Sequence, residues 1–400
     1  MPGIRRLGFV AALVVAVVGL PAPAHATACG LGVPVASALA ATPADPGGGW
    51  LAGDVNHSVA LGGGRALWLY GDTFFGGRSG RGFAPGSRFD RNSALTQHGT
   101  CAAPLARSAR DAWVGAPGSP GYVLVDQTGG VFTFGSAGFH GSVPALREQG
   151  KAGQANVVAG LPTASVGDGY LWPTDGFAHG DRTTVFFNRF VQTGPGILDF
   201  DHAGGAVADL ATRGLDVLRV SPLPHHDPKR TWGSSVVVDG GWAYAFAWQQ
   251  SSPDSYVARF RPGRATEPWE FWTGAGWQRG GPGVAAPILR YGAWNNVTFS
   301  RHPERGFLAL AKDHEFWGTD VIGWWAPRPE GPWTALGALA QAPAGNEEVT
   351  YQAVAHPEMS RPGSLLVSWN VNGTSLDAVT SGRVAYGPRF LEIPVPRPPG

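Results

Sequence analysis

The chain has 400 residues, with 30 basic and 29 acidic side chains and a formal net charge of +1. A charge this close to zero excludes electrostatic attraction to nucleic acid or to an anionic membrane as the basis of function. The 60 glycines and 34 prolines come with 16 tryptophans and 43% hydrophobic residues, which excludes a disordered chain and indicates many short strands joined by tight turns.

The N-terminal segment has the pattern of a signal peptide. Arg5 and Arg6 precede an uncharged run over residues 7–20, which is followed by Ala24-His25-Ala26. A basic start, an apolar run too short to span a membrane and an Ala-x-Ala site predict cleavage near Ala26. We therefore predict a signal peptide over residues 1–26 and a secreted single domain over residues 27–400, without a membrane anchor.

The mature chain contains two cysteines, Cys29 and Cys101. In an oxidising compartment an even number of cysteines favours a disulfide bond. We predict that this pair ties the N-terminus of the mature chain to the first repeat. Two free thiols are the alternative.

Five segments along the chain share one pattern: a strand of small or β-branched residues, a turn rich in Gly, Asp or Pro, and a strand rich in aromatic or large apolar residues. In chain order, the predicted strand pairs are 56–61 with 67–70, 175–178 with 184–187, 234–238 with 243–246, 296–299 with 307–310, and 350–354 with 365–369. Each pair has the signals of a β-hairpin. Five hairpins in a chain with little helical periodicity predict an all-β fold, a five-bladed β-propeller around a central channel. A pair of β-sandwiches is the alternative.

Further elements are predicted around these hairpins. Residues 92–97 are expected to form the third strand of the first blade, and residues 130–135 its outer strand. A short helical turn is expected over residues 204–213.

The first strand of each blade begins beside the central channel of a propeller, so the residues at these positions converge. Here they are Asp54, Asp175, Gly233, Asn295 and Glu348. Three of the five are carboxylic acids in a chain with only 15% charged residues. Glycoside hydrolysis requires two carboxyl groups, and crowding separates their pKa values.

We predict that Asp54 acts as the base or nucleophile and that Asp175 or Glu348 acts as the acid. A turn residue is the alternative for Asp175, and Glu347 competes with Glu348. Asp72, in Gly71-Asp72-Thr73-Phe74, is a fourth catalytic candidate. Its alternative role is to cap the loop that follows its strand. We expect its motif mainly to identify the fold.

Sugar binding requires flat apolar faces and polar groups that orient hydroxyls. Trp172, Trp232 and Trp294 stand next to the channel positions and are predicted to stack on sugar rings. The predicted hydrogen-bonding partners of the substrate are His57, Asn92, Asn295, Tyr351, Gln352 and His356. A role in the core is the alternative for the tryptophans, and a structural role for each polar residue. The sequence has no metal-binding or cofactor-binding motif, so we predict no cofactor.

The segment over residues 50–76, with Gly53-Asp54 and Gly71-Asp72-Thr73-Phe74, resembles the opening blade of a secreted propeller family long labelled a domain of unknown function. Further similar segments extend the resemblance over nearly the whole mature chain, and they lie at 92–94, 171–176, 302–306, 326–333 and 368–372. That family is related to the bacterial endo-D-arabinanases that cut mycobacterial cell-wall arabinan.

The resemblance implies a five-bladed propeller and, for some relatives, glycoside hydrolase activity with a catalytic acid at the position of Asp54. One departure from the family pattern is Val55-Asn56-His57, where relatives tend to have small or aromatic residues. It leaves the specificity of the pocket open.

Residues and resemblance together predict a secreted, monomeric glycoside hydrolase that acts on a polysaccharide of a cell wall or of the environment, such as an arabinan. The alternative is a non-catalytic propeller that binds glycans through its tryptophans and carboxylates. A structural surface protein is disfavoured by the acids predicted to face the channel.

Overall fold

The computed structural model describes residues 50–98, 101–104, 122–125, 131–134, 170–194, 199–215, 217–249, 252–291, 296–303 and 305–396. The predicted signal peptide and Cys29 lie outside these residues. Within them the fold is all-β, as predicted, with one short α-helix, α1 (Leu376–Thr380), and 3₁₀ turns at Pro282–Val284 and Pro357–Met359. No helix in the described ranges is long and apolar enough to cross a membrane.

The strands are short and follow one another in chain order. In the first part of the chain they are β1 (Trp50–Gly53), β2 (His57–Gly62), β3 (Arg65–Tyr70), β4 (Thr73–Phe75), β5 (Arg78–Ser79), β6 (Gly82–Phe83), β7 (Arg88–Asp90), β8 (Ser93–His98), β9 (Cys101–Pro104), β10 (Tyr122–Val125) and β11 (Val131–Phe134). In the middle they are β12 (Tyr170–His179), β13 (Arg182–Gln192), β14 (Phe200–Ala211), β15 (Val217–Pro222), β16 (Ser235–Asp239), β17 (Trp242–Trp248), β18 (Asp254–Phe260), β19 (Glu270–Trp272), β20 (Trp277–Arg279) and β21 (Leu289–Arg290). In the last part they are β22 (Thr298–His302), β23 (Gly306–Lys312), β24 (Asp320–Ala326), β25 (Thr334–Gln341), β26 (Glu348–Ala355), β27 (Ser364–Gly373) and β28 (Gly387–Pro394).

Five antiparallel sheets are built by strands that are consecutive or nearly so. Their strand orders are β2-β3-β8-β9, β12-β13-β14-β15, β16-β17-β18-β19-β20, β22-β23-β24-β25 and β26-β27-β28. Strand β21 joins the third sheet by pairing with β18, and smaller sheets are formed by β1-β4-β7, β5-β6 and β10-β11. All five predicted hairpins are therefore present, each as the first two strands of a sheet.

Two secondary-structure predictions are wrong. The strand predicted at 130–135 pairs with β10 and not with the first sheet, whose outer strand is β9. Residues 204–213 lie largely in β14, which pairs with β13 on one side and β15 on the other. Pairing on both sides satisfies the backbone of this small, Gly-containing segment, and tertiary context overrides its weak helical signal.

The hydrophobic core lies between successive sheets. Val59 and Leu67 of the first sheet pack with Val185 and Phe187 of the second. The rings of Phe246 and Phe299 stack between the third and fourth sheets, with centroids 4.2 Å apart. Alternate residues of each strand therefore fill the spaces between the sheets.

The first strands of the five sheets contact one another in chain order, β2 with β12, β12 with β16, β16 with β22, and β22 with β26. The side-chain amide of Asn56, just before β2, donates from Nδ2 to Ser368 Oγ of β27 at 2.5 Å, which joins the start of the first sheet to the fifth. A cavity of about 290 Å³ is lined by residues of all five first strands.

Candidate active site

Asp54 and Asp72 are brought together by the pairing of β1 with β4. The register places Gly53 opposite Thr73. The amide of Asp54 donates to the carbonyl of Asp72 at 3.2 Å, and the amide of Gly71 donates to the carbonyl of Asp54 at 2.9 Å. Two carboxylates 18 positions apart in sequence thus emerge from neighbouring ends of one small sheet.

Gly71 is required for this close approach. A Cβ at this position would lie 2.6 Å from Oδ1 of Asp54 and 2.7 Å from Cγ2 of Val55. Any larger residue would displace the Asp54 side chain. The glycine of the Gly71-Asp72 motif therefore allows the backbone next to Asp72 to pack against the carboxylate of Asp54.

Unusual backbone conformations surround these acids. Val55 and Asn56 have φ of 74° and 48°, and Gln352 has φ of 51°, a left-handed region that is costly for a β-branched residue such as valine. The pairing register also shifts between Pro173 and Gly176 and between Tyr351 and Val354. Such bulges redirect side chains, and they occur disproportionately next to active sites.

The half-buried carboxylate of Asp54 is held by tyrosines. The hydroxyl of Tyr351 donates to Oδ2 at 2.6 Å, and the hydroxyl of Tyr386 is also within hydrogen-bonding reach of this carboxylate. The other oxygen, Oδ1, is buried and has no hydrogen-bond partner among the described residues. Burial raises the pKa of Asp54 to about 6, and the tyrosine hydrogen bonds limit the rise.

Asp72 is bound by different groups. Trp172 Nε1 donates to Oδ1 at 2.9 Å, and Arg91 Nη1 lies 3.2 Å from Oδ2. Burial and then the negative charge of Asp54 raise the pKa of Asp72 to about 7, although Arg91 and Trp172 oppose the rise. Both acids therefore titrate closer to neutrality than free aspartates do.

Aromatic side chains form walls beside the two acids. On the second sheet, the ring of Trp172 contacts Phe190 and Phe200, with centroids 4.6 Å and 5.0 Å away. Near the fifth sheet, the ring of Phe316 lies 5.3 Å from that of Tyr351. Flat apolar faces next to paired carboxyl groups suit a sugar ring and its hydroxyls.

Asp175 is in a different environment, within β12 and facing the cavity between the first strands. Its Oδ1 accepts from the amide of Gly176 and its Oδ2 from the amide of Val236, both at 2.7 Å. Nδ1 of the His57 imidazole lies 3.9 Å from Oδ1 of Asp175. Burial raises the pKa of Asp175 well above its usual range. The bond from Val236 joins the second sheet to the third.

The two predicted histidines also lie in this region. His356 Nδ1 is 2.6 Å from Ser58 Oγ, and its Nε2 is 2.7 Å from Ser368 Oγ. His57 Nε2 is 3.2 Å from the side-chain Nε2 of Gln352. Burial lowers the pKa of both histidines to about 3, so both are neutral at physiological pH.

The remaining predicted residues are distributed over the fold. Glu348 begins β26, where it contacts Arg389 at 2.9 Å and accepts from the amide of Gly345 at 2.8 Å. Trp232 is 2% exposed and belongs to the core. Asn92 is buried and donates to the carbonyl of Leu171 at 2.7 Å.

Trp294 and Asn295 lie outside the described residues, as does Cys29. Cys101 begins β9, and the structure does not describe its side chain.

The structure thus groups Asp54 and Asp72 with two other predicted residues, Trp172 and Tyr351. It adds Arg91 and Tyr386, which the sequence analysis missed. Arg91 directly precedes the predicted Asn92 strand, and an arginine at a strand start was the only signal for it. Tyr386 is 314 positions from Asp72, to whose carbonyl it donates at 2.8 Å, and no local pattern indicated it.

In the described part of the chain, no group of three or more His, Cys, Asp or Glu is arranged to hold a metal ion.

Residues 46–394 match the profile of a family described as a domain of unknown function, DUF5005. The chain belongs to this family. The match confirms the resemblance to a family of unknown function, whereas the relation to endo-D-arabinanases stays a prediction. A comparison of this DUF5005 chain with curated proteins finds no match.

Several solved structures resemble this DUF5005 chain at low sequence identity. A Bacteroides ovatus protein, provisionally assigned as a hydrolase, has a TM-score of 0.59 and 17% identity, and the match covers 86% of each chain. An α-L-arabinofuranosidase from Podospora anserina in complex with cellotriose has a TM-score of 0.44 and 10% identity over 88% of this chain and 94% of its own. A GH43_1 enzyme from Xanthomonas citri complexed with xylotriose has a TM-score of 0.44 and 12% identity over 90% and 91%. The similarity to the Bacteroides ovatus protein shows that the two chains share a fold.

Proposed function

We propose that this chain is a secreted glycoside hydrolase and that Asp54 and Asp72 are its two catalytic carboxyl groups. The observation that carries the proposal is the pairing of β1 with β4, which brings two acids of raised pKa into one aromatic-walled site. Glycoside hydrolysis requires one protonated carboxyl group and one carboxylate on either side of the scissile bond.

The surroundings of the two acids support a division of roles. Tyr351 donates to Asp54 and stabilises its charged form, which suits a base or nucleophile. The charge of Asp54 in turn disfavours ionisation of Asp72. Asp72 is then the acid that protonates the leaving oxygen, while Asp54 activates water or attacks the anomeric carbon.

We further propose that the five sheets are the five blades of a β-propeller. The support is that the first strands of all five sheets line one cavity and that Asn56 joins the first sheet to the fifth. In such a fold the loops between blades converge on one end of the channel. Asp54, in the segment that precedes the first sheet, and Tyr351 of the fifth sheet are close together for this reason.

We propose that the substrate is a cell-wall or environmental polysaccharide, and arabinan is the first candidate. The support for arabinan is the sequence resemblance to the family related to endo-D-arabinanases. Secretion with cleavage near Ala26, a Cys29–Cys101 disulfide and a monomeric state are proposed from the sequence. Mass spectrometry of the protein from culture medium, with and without reduction, tests the cleavage and the disulfide.

A non-catalytic glycan-binding protein is the second candidate, and one contact favours it. Arg91 lies 3.2 Å from Asp72, and an arginine that keeps this carboxylate charged would remove the acid. The aromatic walls would then serve binding alone.

One experiment separates the two candidates. Purified protein is incubated with arabinan, arabinogalactan and a panel of plant polysaccharides, with Asp54→Asn as the matched variant. Oligosaccharide released by the wild type and at least about 100-fold more slowly by the variant supports hydrolysis. Retention of both proteins on an immobilised polysaccharide, without any release, supports glycan binding instead.

A further inference from the structure

The loop between β23 and β24 displays two large aromatic side chains. Trp317 is 82% exposed and Phe316 is 45% exposed. Trp232 and Trp269, by contrast, are at most 2% exposed. A nearly bare tryptophan beside a half-exposed phenylalanine leaves apolar surface in water without a stabilising contribution to the fold.

This loop is held firmly in its conformation. The ammonium group of Lys312 donates to the carbonyls of Gly318 and Ala342. The amide of Asp313 donates to the carbonyl of Asp320 at 2.8 Å, which closes the base of the loop. The aromatic pair is therefore presented by a segment whose two ends are fixed by hydrogen bonds.

The residues before the aromatic pair anchor it to the fifth sheet. Glu315 is 5% exposed, and its carboxyl group accepts from the backbone amide of Asn296 at 3.3 Å and from the backbone amide of Gln352. His314 and Glu315 have φ of 51° and 45°, a left-handed region that costs free energy in non-glycine residues. The fold thus maintains a strained turn that directs Glu315 inward and the next two side chains outward.

The position of the pair links it to the proposed catalytic site. The ring of Phe316 lies 5.3 Å from the ring of Tyr351, whose hydroxyl donates to Asp54. Only the side chain of Tyr351 separates Phe316 from the carboxylate of Asp54. Phe316 thus places the exposed pair beside the site at which a polymer would bind across Asp54.

We propose that Phe316 and Trp317 form a stacking subsite for a neutral sugar ring of the polysaccharide, next to the ring whose bond is cleaved. This inference rests on the proposed function and adds the residues that recognise a long chain over a short one. The faces of sugar rings carry C–H groups that pack on indole and phenyl rings, as other apolar ligands do.

Other occupants fit the surface less well. Asp313 and Asp320 flank the loop, which opposes an anionic membrane. A stable dimer interface buries about 800 Å² on each partner, far more than two side chains provide. A neutral glycan requires neither positive charge nor a large area.

The test compares Trp317→Ala and Trp317→Tyr with Leu218→Ala, which removes an exposed apolar side chain from β15. If arabinan is cleaved, we expect Trp317→Ala to raise KM for arabinan about tenfold, equivalent to about 1.4 kcal/mol, while kcat and the rate on the shortest cleaved oligosaccharide stay unchanged. Trp317→Tyr should restore most of the affinity, and Leu218→Ala should behave as the wild type. An unchanged KM in Trp317→Ala would overturn the subsite.

Affinity electrophoresis in gels containing arabinan or arabinogalactan keeps this test separate from catalysis. If the wild type is retarded without any hydrolysis and Trp317→Ala is not, the subsite stands and the proposed hydrolase activity fails. Equal retardation of both proteins overturns the subsite. So does a wild-type dimer in analytical ultracentrifugation that Trp317→Ala converts to a monomer, because the pair would then bind a second copy of the chain.

Discussion

The hydroxyl of Tyr351 donates a 2.6 Å hydrogen bond to Oδ2 of Asp54, across 297 positions of sequence. The bond joins the fifth sheet to the segment that precedes the first. It stabilises the charged form of an acid whose pKa is otherwise raised by burial. The contact therefore influences both the position and the protonation of the proposed base.

Replacement of Tyr351 with phenylalanine tests this contact. Tyr351→Phe removes the donor and keeps the ring that contacts Phe316, so the pKa of Asp54 should rise further. We expect the acidic limb of the kcat/KM–pH profile to move to higher pH and kcat/KM to fall roughly tenfold at pH 6. Tyr256→Phe, which removes a hydroxyl bonded to Gln249 in the third sheet, is the control. An unmoved acidic limb would show that Tyr351 does not tune Asp54.

The interaction between the two acids can be measured without any substrate. Because the charge of Asp54 raises the pKa of Asp72, Asp54→Asn should lower the pKa of Asp72. Infrared difference titration of the carboxyl bands measures this shift directly. Asp209→Asn, which changes an acid on the second sheet paired with Arg219, should leave it unaltered. An unchanged pKa of Asp72 in Asp54→Asn would show that the two acids do not interact.

The space at Gly71 provides a steric test of the site. In Gly71→Ala the new Cβ would meet Oδ1 of Asp54 at 2.6 Å, so the carboxylate must move. We expect hydrolysis to fall by about 100-fold, since small displacements of catalytic groups have effects of this size. Gly276→Ala is the matched control, because its Cβ would meet nothing within 4 Å. Full activity in Gly71→Ala would mean that the position of Asp54 is not critical.

Stability should depend on pH through Glu315. Burial raises its pKa to about 8 from the ordinary 4.5, so the folded state binds its proton more tightly than the unfolded state. The resulting stabilisation is complete below pH 4.5 and is lost as the pH rises through 8. Between these values, the free energy of unfolding should fall by up to about 1.4 kcal/mol per pH unit more in the wild type than in Glu315→Gln.

Urea unfolding at a series of pH values measures this difference. Glu267→Gln is the control, because Glu267 is exposed and pairs with Arg264 on the surface. Parallel pH profiles for the wild type and Glu315→Gln would show that Glu315 is not protonated in the folded state near neutrality.

The sequence was sufficient to predict the hairpins and insufficient to predict the pairing of the site residues. Turn residues and aromatic runs are local signals, and they located the first two strands of all five sheets. The pairing of β1 with β4 is not local in this sense, because β1 has only four residues, all buried, and lacks alternation. Asp72 was therefore expected mainly to identify the fold, although its backbone pairs with that of Asp54.

The same limit applies to the residues that reach the site from distant parts of the sequence. Asp54, Trp172 and Tyr351 could be proposed because each stands near the start of a predicted strand or inside one. Tyr386 and Phe316 could not, because they belong to connections whose path depends on how the sheets pack. The outer strand of the first sheet was misplaced for a related reason: the turn signals around 130–135 describe a hairpin but do not say which sheet it joins.

Catalysis by Asp54 and Asp72 together is tested most directly by measuring kcat/KM for Asp54→Asn, Asp72→Asn and Glu348→Gln on one cleaved polysaccharide. We expect kcat/KM to fall about 1,000-fold in each aspartate variant and less than tenfold in Glu348→Gln, because Glu348 pairs with Arg389. Near-normal hydrolysis by Asp72→Asn together with loss of activity in Glu348→Gln would contradict catalysis by the two aspartates.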